Sequence, residues 1–319
     1  MWPTLFEHSS ASGDIAVHTY GVMILLAFAA AFTLCHTRAR QAGIHPDRLL
    51  GIYLAAAAGG LIGARLLYAL AVDLSATLAN PLSLFSCSGL AFYGGALGGA
   101  TGVLFMARWQ RLPLWKLTDV MAAPLVLGLA IGRIGCFFAG CCHGAPSAIA
   151  ANATALLPES LLKGQLWLTG TFPFLSTEFH AGVGRLLHQP LYPTQLWSIL
   201  AGLLMVGILS WRWWYRRYDG EITAWLLMLE PIFRIAIESF RADHRGYVLT
   251  WSVHADSWLH SLPGLALAGQ PSAGLGEQVT IGITTSQGIG LLMVLSGLTI
   301  AALRFRVPML AEVPIEEEL

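Results

Sequence analysis

The sequence predicts an all-α polytopic membrane protein of seven transmembrane helices, with the N-terminus outside, the C-terminus cytoplasmic and two periplasmic cap segments. Three observations carry this. The 319 residues are 55% hydrophobic and 11% charged, with a mean hydropathy of +0.63, against about 25% charged residues in soluble domains. Seven segments reach the roughly 20 apolar residues that a helix needs to cross a bilayer. Basic residues follow alternate segments, which orients them by the positive-inside rule. The 18 basic and 18 acidic residues cancel, so no electrostatic footprint for nucleic acid is present. The whole chain, 1–319, reads as one integral membrane domain.

Taken in order, the first span is about 16–36. No Lys or Arg precedes it and Arg38 and Arg40 follow it, the reverse of a signal peptide's charge order, so it is retained with its N-terminus outside. His18 and Tyr20 stand at its outer mouth as interfacial anchors or head-group contacts. The second span, about 49–71, carries GGLIGA at Gly59–Ala64 and then Arg65, three residues before Tyr68. The third, about 89–107, contains SGLAFYGGALGG. Its Gly94, Gly98 and Gly102 form one small-residue face and Gly95 with Gly99 a second, both suited to close helix contact. Arg108, Arg111 and Lys116 follow.

The fourth span, about 119–140, runs into GRIGCFFAGCCHG. A long outer segment, about 145–190, separates it from the fifth span, about 193–211. Arg212, Arg216 and Arg217 then accompany a belt of Trp211, Trp213, Trp214, Tyr215 and Tyr218, the composition of a membrane–water interface. The sixth span is about 222–241. A second outer segment, about 242–281, holds Trp251 and Trp258 and is expected to form a folded cap or interfacial helices. The seventh span, about 282–303, ends at Arg304 and Arg306.

Charges inside these spans are the candidate functional groups. A guanidinium at bilayer depth costs at least about 2.5 to 3.5 kcal/mol by insertion scales, so Arg133 needs a partner, an anionic ligand or a wet cavity. Around it, Gly128, Gly132, Cys136, Gly140 and Gly144 make a strip of small residues at i, i+4 spacing. In the sixth span Glu230, Arg234, Glu238 and Arg241 share one helix face, either as a self-neutralising ladder or, with Arg133, as a cationic site. Two converging guanidinium groups suit a phosphate, because each bonds phosphate oxygens bidentately. Within a bilayer that phosphate is a phospholipid head group. The five cysteines, Cys35, Cys87, Cys136, Cys141 and Cys142, contain no CxxC pair, so neither a disulfide scaffold nor a structural zinc site is expected. Their plainest role is as small packing residues.

These motifs resemble the prolipoprotein diacylglyceryl transferases of bacterial inner membranes. The family's fourth-span signature has the form GRxGNFxNxExxG, and Gly132, Arg133, Gly135, Phe137 and Gly144 match it. HTYG at His18–Gly21, GARLLY at Gly63–Tyr68, AFYGG at Ala91–Gly95, YPTQLW at Tyr192–Trp197 and FRIAIESFR at Phe233–Arg241 follow the family's order. The resemblance implies transfer of a diacylglyceryl group from phosphatidylglycerol to the lipobox cysteine in the signal peptide of a preprolipoprotein, with glycerol phosphate released and no metal or organic cofactor. It places catalytic roles on Arg133, Arg234 and Tyr93. Substrate contacts fall on Tyr20, Gly94, Gly95, Cys136, Cys141, Gly144, Gln195, Glu238 and Arg241. The sequence departs from the pattern at Cys136 for Asn, Cys141 for Glu, Tyr93 and Tyr192 for His, and Ser198 for Glu. Those departures leave two alternatives: an inactive or retargeted relative that handles another phospholipid-derived group, or a metal or thiol-redox site built from Cys136, Cys141, Cys142 and His143.

Overall fold

A computed structural model describes residues 4–10, 13–71, 74, 77, 91–142, 144, 192–238, 240, 241, 247–254, 266, 267 and 278–305. Among them run seven α-helices: α1 Thr19–Gln41, α2 Pro46–Ala71, α3 Phe92–Trp109, α4 Leu114–Ala139, α5 Thr194–Trp213, α6 Glu221–Glu238 and α7 Thr285–Arg304. Each coincides with one of the seven apolar segments. Five of them, α1, α4, α5, α7 and Pro46–Leu70 of α2, are long and apolar enough to cross a membrane. Helix ends are set by local chemistry. Pro113 is the N-cap of α4 and starts it earlier than hydropathy alone suggests, as expected of a residue with a fixed φ and no N–H to donate. Thr284 and Gln287 close a reciprocal capping box at the start of α7, satisfying two N–H groups that the helix leaves unpaired.

Strands add to the expected helix outside the bundle. β1 (Thr4–Ser10) and β2 (Gly13–His18) form an antiparallel hairpin that runs directly into α1. β3 (Tyr247–His254), β4 (Ala266–Leu267) and β5 (Gln278–Thr284) form an antiparallel sheet in the order β3-β5-β4, and β5 runs into α7. The second outer segment therefore contains sheet where interfacial helix was one expectation. Its YVLTWSVH and QVTIGIT are rich in the β-branched and aromatic residues that fit a pleated surface.

The bundle is built from helix pairs, chiefly α2 with α3, α1 with α4, α6 with α7 and α4 with α5. In the first pair the GGLIGA and GGALGGA runs meet each other. A Cβ placed on Gly59, Gly63, Gly94, Gly98 or Gly102 would fall on a backbone carbonyl of the facing helix, so only glycine permits this approach. Gly128 and Gly132 of α4 face Ala31 and Ile24 of α1 at 3.6 and 3.8 Å from where a Cβ would stand, so the predicted small-residue strip is a packing seam.

One end of the bundle is closed. The buried core gathers Cys35 and Ala39 of α1, Leu49 and Ile52 of α2, Leu117 and Val120 of α4, Leu209 and Trp213 of α5 and Ile222 of α6. Asp119, 2% exposed, accepts from Gly220 N (2.7 Å), Thr223 N (2.8 Å) and Thr223 Oγ1 (2.8 Å), capping α6. Arg212 pairs with Glu221. The guanidinium groups of Arg38 and Arg216 both stand over the Trp213 ring, at 4.9 and 4.0 Å from its centroid. The aromatic belt is thus partly interior, with Trp213 buried while Trp211 and Trp214 are exposed.

Candidate functional site

At the opposite end, the site grows from the last turn of α4. Gly140, in the left-handed conformation at φ +74°, ends the helix, and its N–H donates to Phe137 O. Cys141 N donates back to Cys136 O at 3.2 Å, and Cys142 is itself left-handed at φ +61°. This turn carries Cys141 and Cys142 back over Cys136. The three Sγ atoms lie within 4.8 Å of one another, each residue partly buried. The grouping stood among the sequence alternatives, but spacing alone does not give the proximity, because the chain reverses between the first thiol and the other two. Hydrogen bonds from the Cys136 and Cys141 thiols, with the Arg241 guanidinium beside them, favour the thiolate at Cys142 and draw its pKa below the usual thiol value.

The segment after the turn is fixed by the start of α5, more than fifty residues away in sequence. Gln195 Nε2 donates to Cys141 O at 2.8 Å and Thr194 Oγ1 to Cys142 O at 3.0 Å. Both side chains are fully buried. Gly144 N donates to Tyr192 O at 3.0 Å, and Gly144 forms an isolated antiparallel bridge with Arg241. Gln195, expected as a substrate contact, braces the turn through its Nε2, and its Oε1 is buried without a partner among the described residues. Tyr192, Trp197 and Phe240 stack edge to face or tilted beside Gly144, with ring centroids 5.2 to 5.8 Å apart.

Arg133 sits on α4 one turn before the cysteines, within electrostatic reach of Cys136 and of Tyr20 on α1. It is partly buried and has no hydrogen-bond or ion-pair partner among the described residues. Tyr20 packs on the bare Cα of Gly135, where a Cβ would stand 3.1 Å from its ring, and keeps 45% of its surface exposed. Around the end of α4 the fold therefore brings together Tyr20, Arg133, Cys136, Cys141, Gly144, Gln195 and Arg241.

Arg234 is held differently. Its Nε donates to Ser286 Oγ on α7 at 2.8 Å, and its Nη1 pairs with Glu230 Oε1 at 3.2 Å. The expected ladder on α6 therefore supplies one rung. Glu238 is partly buried and accepts the Arg241 backbone N–H on its carbonyl at 3.1 Å, while the Arg241 side chain turns to Cys142. Ser286 was not legible as a site residue. Its only sequence signal is a place two residues after a helix cap.

Gly94 and Gly95 open α3 against α2. A Cβ on Gly94 would stand 2.6 Å from Leu67 Cβ, and one on Gly95 would stand 3.5 Å from Ala64 Cβ. Both are engaged in helix packing. Tyr93 occupies the first turn of α3, its side chain outside the described residues, as is His143.

A helical bundle with five membrane-capable helices, one of which carries an arginine without a carboxylate partner among the described residues, is a multi-pass membrane protein. Sequence comparison narrows this. The chain belongs to the prolipoprotein diacylglyceryl transferase family, whose profile matches residues 8–303. It is similar to the phosphatidylglycerol–prolipoprotein diacylglyceryl transferase of Clostridium tetani, at 28% identity over 78% of this chain and 88% of that one. The enzyme of that name from Chromohalobacter salexigens is 30% identical over 75% and 80% of the two chains, and that from Bordetella parapertussis 30% identical over 81% and 90%.

Proposed function

We propose that this chain transfers the diacylglyceryl group of phosphatidylglycerol to the lipobox cysteine of preprolipoproteins, forming a thioether and releasing glycerol phosphate. The observation that carries the reading is Arg133, a guanidinium inside a membrane-capable helix with no protein partner among the described residues, in a chain of this family. Arg234 complements it. Glu230 and Ser286 orient its Nη1 and Nε, and its Nη2, without a partner among the described residues, is available to a ligand. The two arginines bind the lipid phosphate and then stabilise the charge that grows on it as the ester oxygen departs, an effect strongest where water is excluded.

By the positive-inside rule, the basic residues at the closed end, Arg38, Arg40, Arg108, Arg111, Arg212 and Arg304, support a cytoplasmic position for that end and an outer-leaflet position for the site. Both substrates reside there: a phospholipid and a membrane-anchored signal peptide. The nucleophile is the peptide's own thiol, and it must react as the thiolate. Tyr93 stands where the family carries histidine. With an ordinary pKa near 10 it is a weak base at neutral pH, so the surroundings must supply much of the thiol's activation.

The test is transfer in detergent from phosphatidylglycerol to a synthetic lipobox peptide, read by mass spectrometry, with a Ser-for-Cys peptide as control. The expected adduct appears only on the Cys peptide. Arg133→Lys abolishes it, because an ammonium cannot form the bidentate fork. Undiminished turnover by that variant would refute the phosphate clamp.

A further inference from the structure

We infer that Cys136, Cys141 and Cys142 form a binding site for one thiophilic divalent cation of the zinc(II) type, with its fourth coordination position open to an incoming thiolate. The three Sγ atoms already lie within 4.8 Å of one another. Zinc–thiolate bonds of about 2.3 Å set the S···S edge of a tetrahedron at about 3.8 Å. The sulfurs therefore need to close by about 1 Å, within reach of small χ1 rotations. The donor set is all sulfur among the described residues, which selects soft or borderline ions against the oxygen-seeking Mg²⁺ and Ca²⁺.

Charge and support agree with a divalent ion. Three thiolates and a dication leave one net negative charge, and two guanidinium groups stand beside the cluster: Arg241 donates to Cys142, and Arg133 lies within electrostatic reach of Cys136. A monovalent ion would leave two negative charges. The backbone that presents the ligands is fixed from outside by Gln195 and Thr194 on the Cys141 and Cys142 carbonyls, the kind of outer shell that orients metal ligands. All three cysteines remain partly exposed, and Tyr20 and Arg133 lie within electrostatic reach of the cluster. Three protein ligands and an open position are the pattern of catalytic rather than structural zinc.

The use of that position rests on the transferase reading. A thiol that coordinates the ion gives up its proton to water, since metal coordination deprotonates a thiol outright. Its sulfur then bonds to the glyceryl carbon. The carbon–oxygen bond to phosphate breaks, and glycerol phosphate leaves with the electron pair. The step so supplied is the one for which Tyr93 is a weak base.

The experiment uses the full chain, purified in detergent under reductant, stripped with chelator and titrated with Co(II). The expected result is one ion per chain, with thiolate-to-cobalt charge transfer and four-coordinate d–d absorption, displaced by Zn(II). Cys35→Ser retains the signal, and the triple variant Cys136→Ser, Cys141→Ser, Cys142→Ser loses it. Because the triple variant can fail to fold, alkylation of the wild type supplies a second readout, in which saturating Zn(II) protects these three thiols. A lipobox Cys peptide should shift the cobalt spectrum and its Ser analogue should not. Absence of charge transfer together with absence of protection overturns the site, whatever the transfer activity. A cobalt site without transfer sinks the transferase reading and leaves the metal site standing, whereas full transfer by metal-free protein removes the ion from thiol activation.

Discussion

Gly144→Ala tests whether the cysteine turn must be clamped to α5 and to the end of α6. The new Cβ would stand 2.6 Å from both Tyr192 Cβ and Tyr192 O and 2.7 Å from Phe240 O. Two of these are backbone oxygens, which no side-chain rotation relieves. Restoring ordinary contact near 3.4 Å requires a separation of about 0.8 Å, which lengthens the 3.0 Å Gly144 N to Tyr192 O bond beyond hydrogen-bonding range. Losing that bond costs about 1 kcal/mol, and overpacking costs about 1 to 3 kcal/mol more. The sum is about 2 to 4 kcal/mol, enough to unseat the segment locally. Thermal unfolding in detergent should show a lowered Tm, and lipobox transfer should fall sharply. Gly207→Ala on α5, where a Cβ meets nothing within 4 Å, is the control and should leave both unchanged or raise Tm slightly. Wild-type Tm and turnover in Gly144→Ala would refute the clamp.

Three further outcomes are expected. Ser286→Ala removes one of the two bonds orienting Arg234; a loss near 1.4 kcal/mol, about tenfold in kcat/KM, should appear with little change in Tm. Asp119→Ala leaves the N–H groups of Gly220 and Thr223 without their acceptor at the closed end. It should cost about 2 to 4 kcal/mol of stability, seen as a lowered denaturation midpoint with KM for phosphatidylglycerol unchanged in the folded fraction. Tyr93→His restores a group with a pKa near 6.5 at the start of α3 and should retain or raise turnover at neutral pH; complete loss would show that tyrosine fills a role histidine cannot.

The seven helices were legible because length and apolarity leave a bilayer few alternatives. The i, i+4 pairing of Glu230 with Arg234 was legible because helical periodicity puts the two on one face. What was left open or escaped depended on a backbone reversal or on distant partners. Cys136, Cys141 and Cys142 lack the spacing of a loop-borne metal site, and only the left-handed Gly140 and Cys142 bring their sulfurs together. Gln195 entered as a substrate contact through the family resemblance alone, and its role in bracing the turn was not foreseen. Its partner, Cys141 O, lies 54 residues away, and no local pattern reports it. The strands at either end were hidden because each is short and adjoins a far stronger hydrophobic run.

Among the described residues, the core packed around Leu49, Leu117, Leu209 and Trp213 stops one end of the bundle like the base of a thimble. A site in the mouth of a thimble exchanges ions with one compartment alone. A proton and a leaving anion that depart on the site's own side do not cross the packed base, and their charges skip the stretch of transmembrane field that it spans. For such a site the membrane potential is neither a driving force nor a brake: turnover in sealed vesicles should be the same whether a potential is imposed or collapsed.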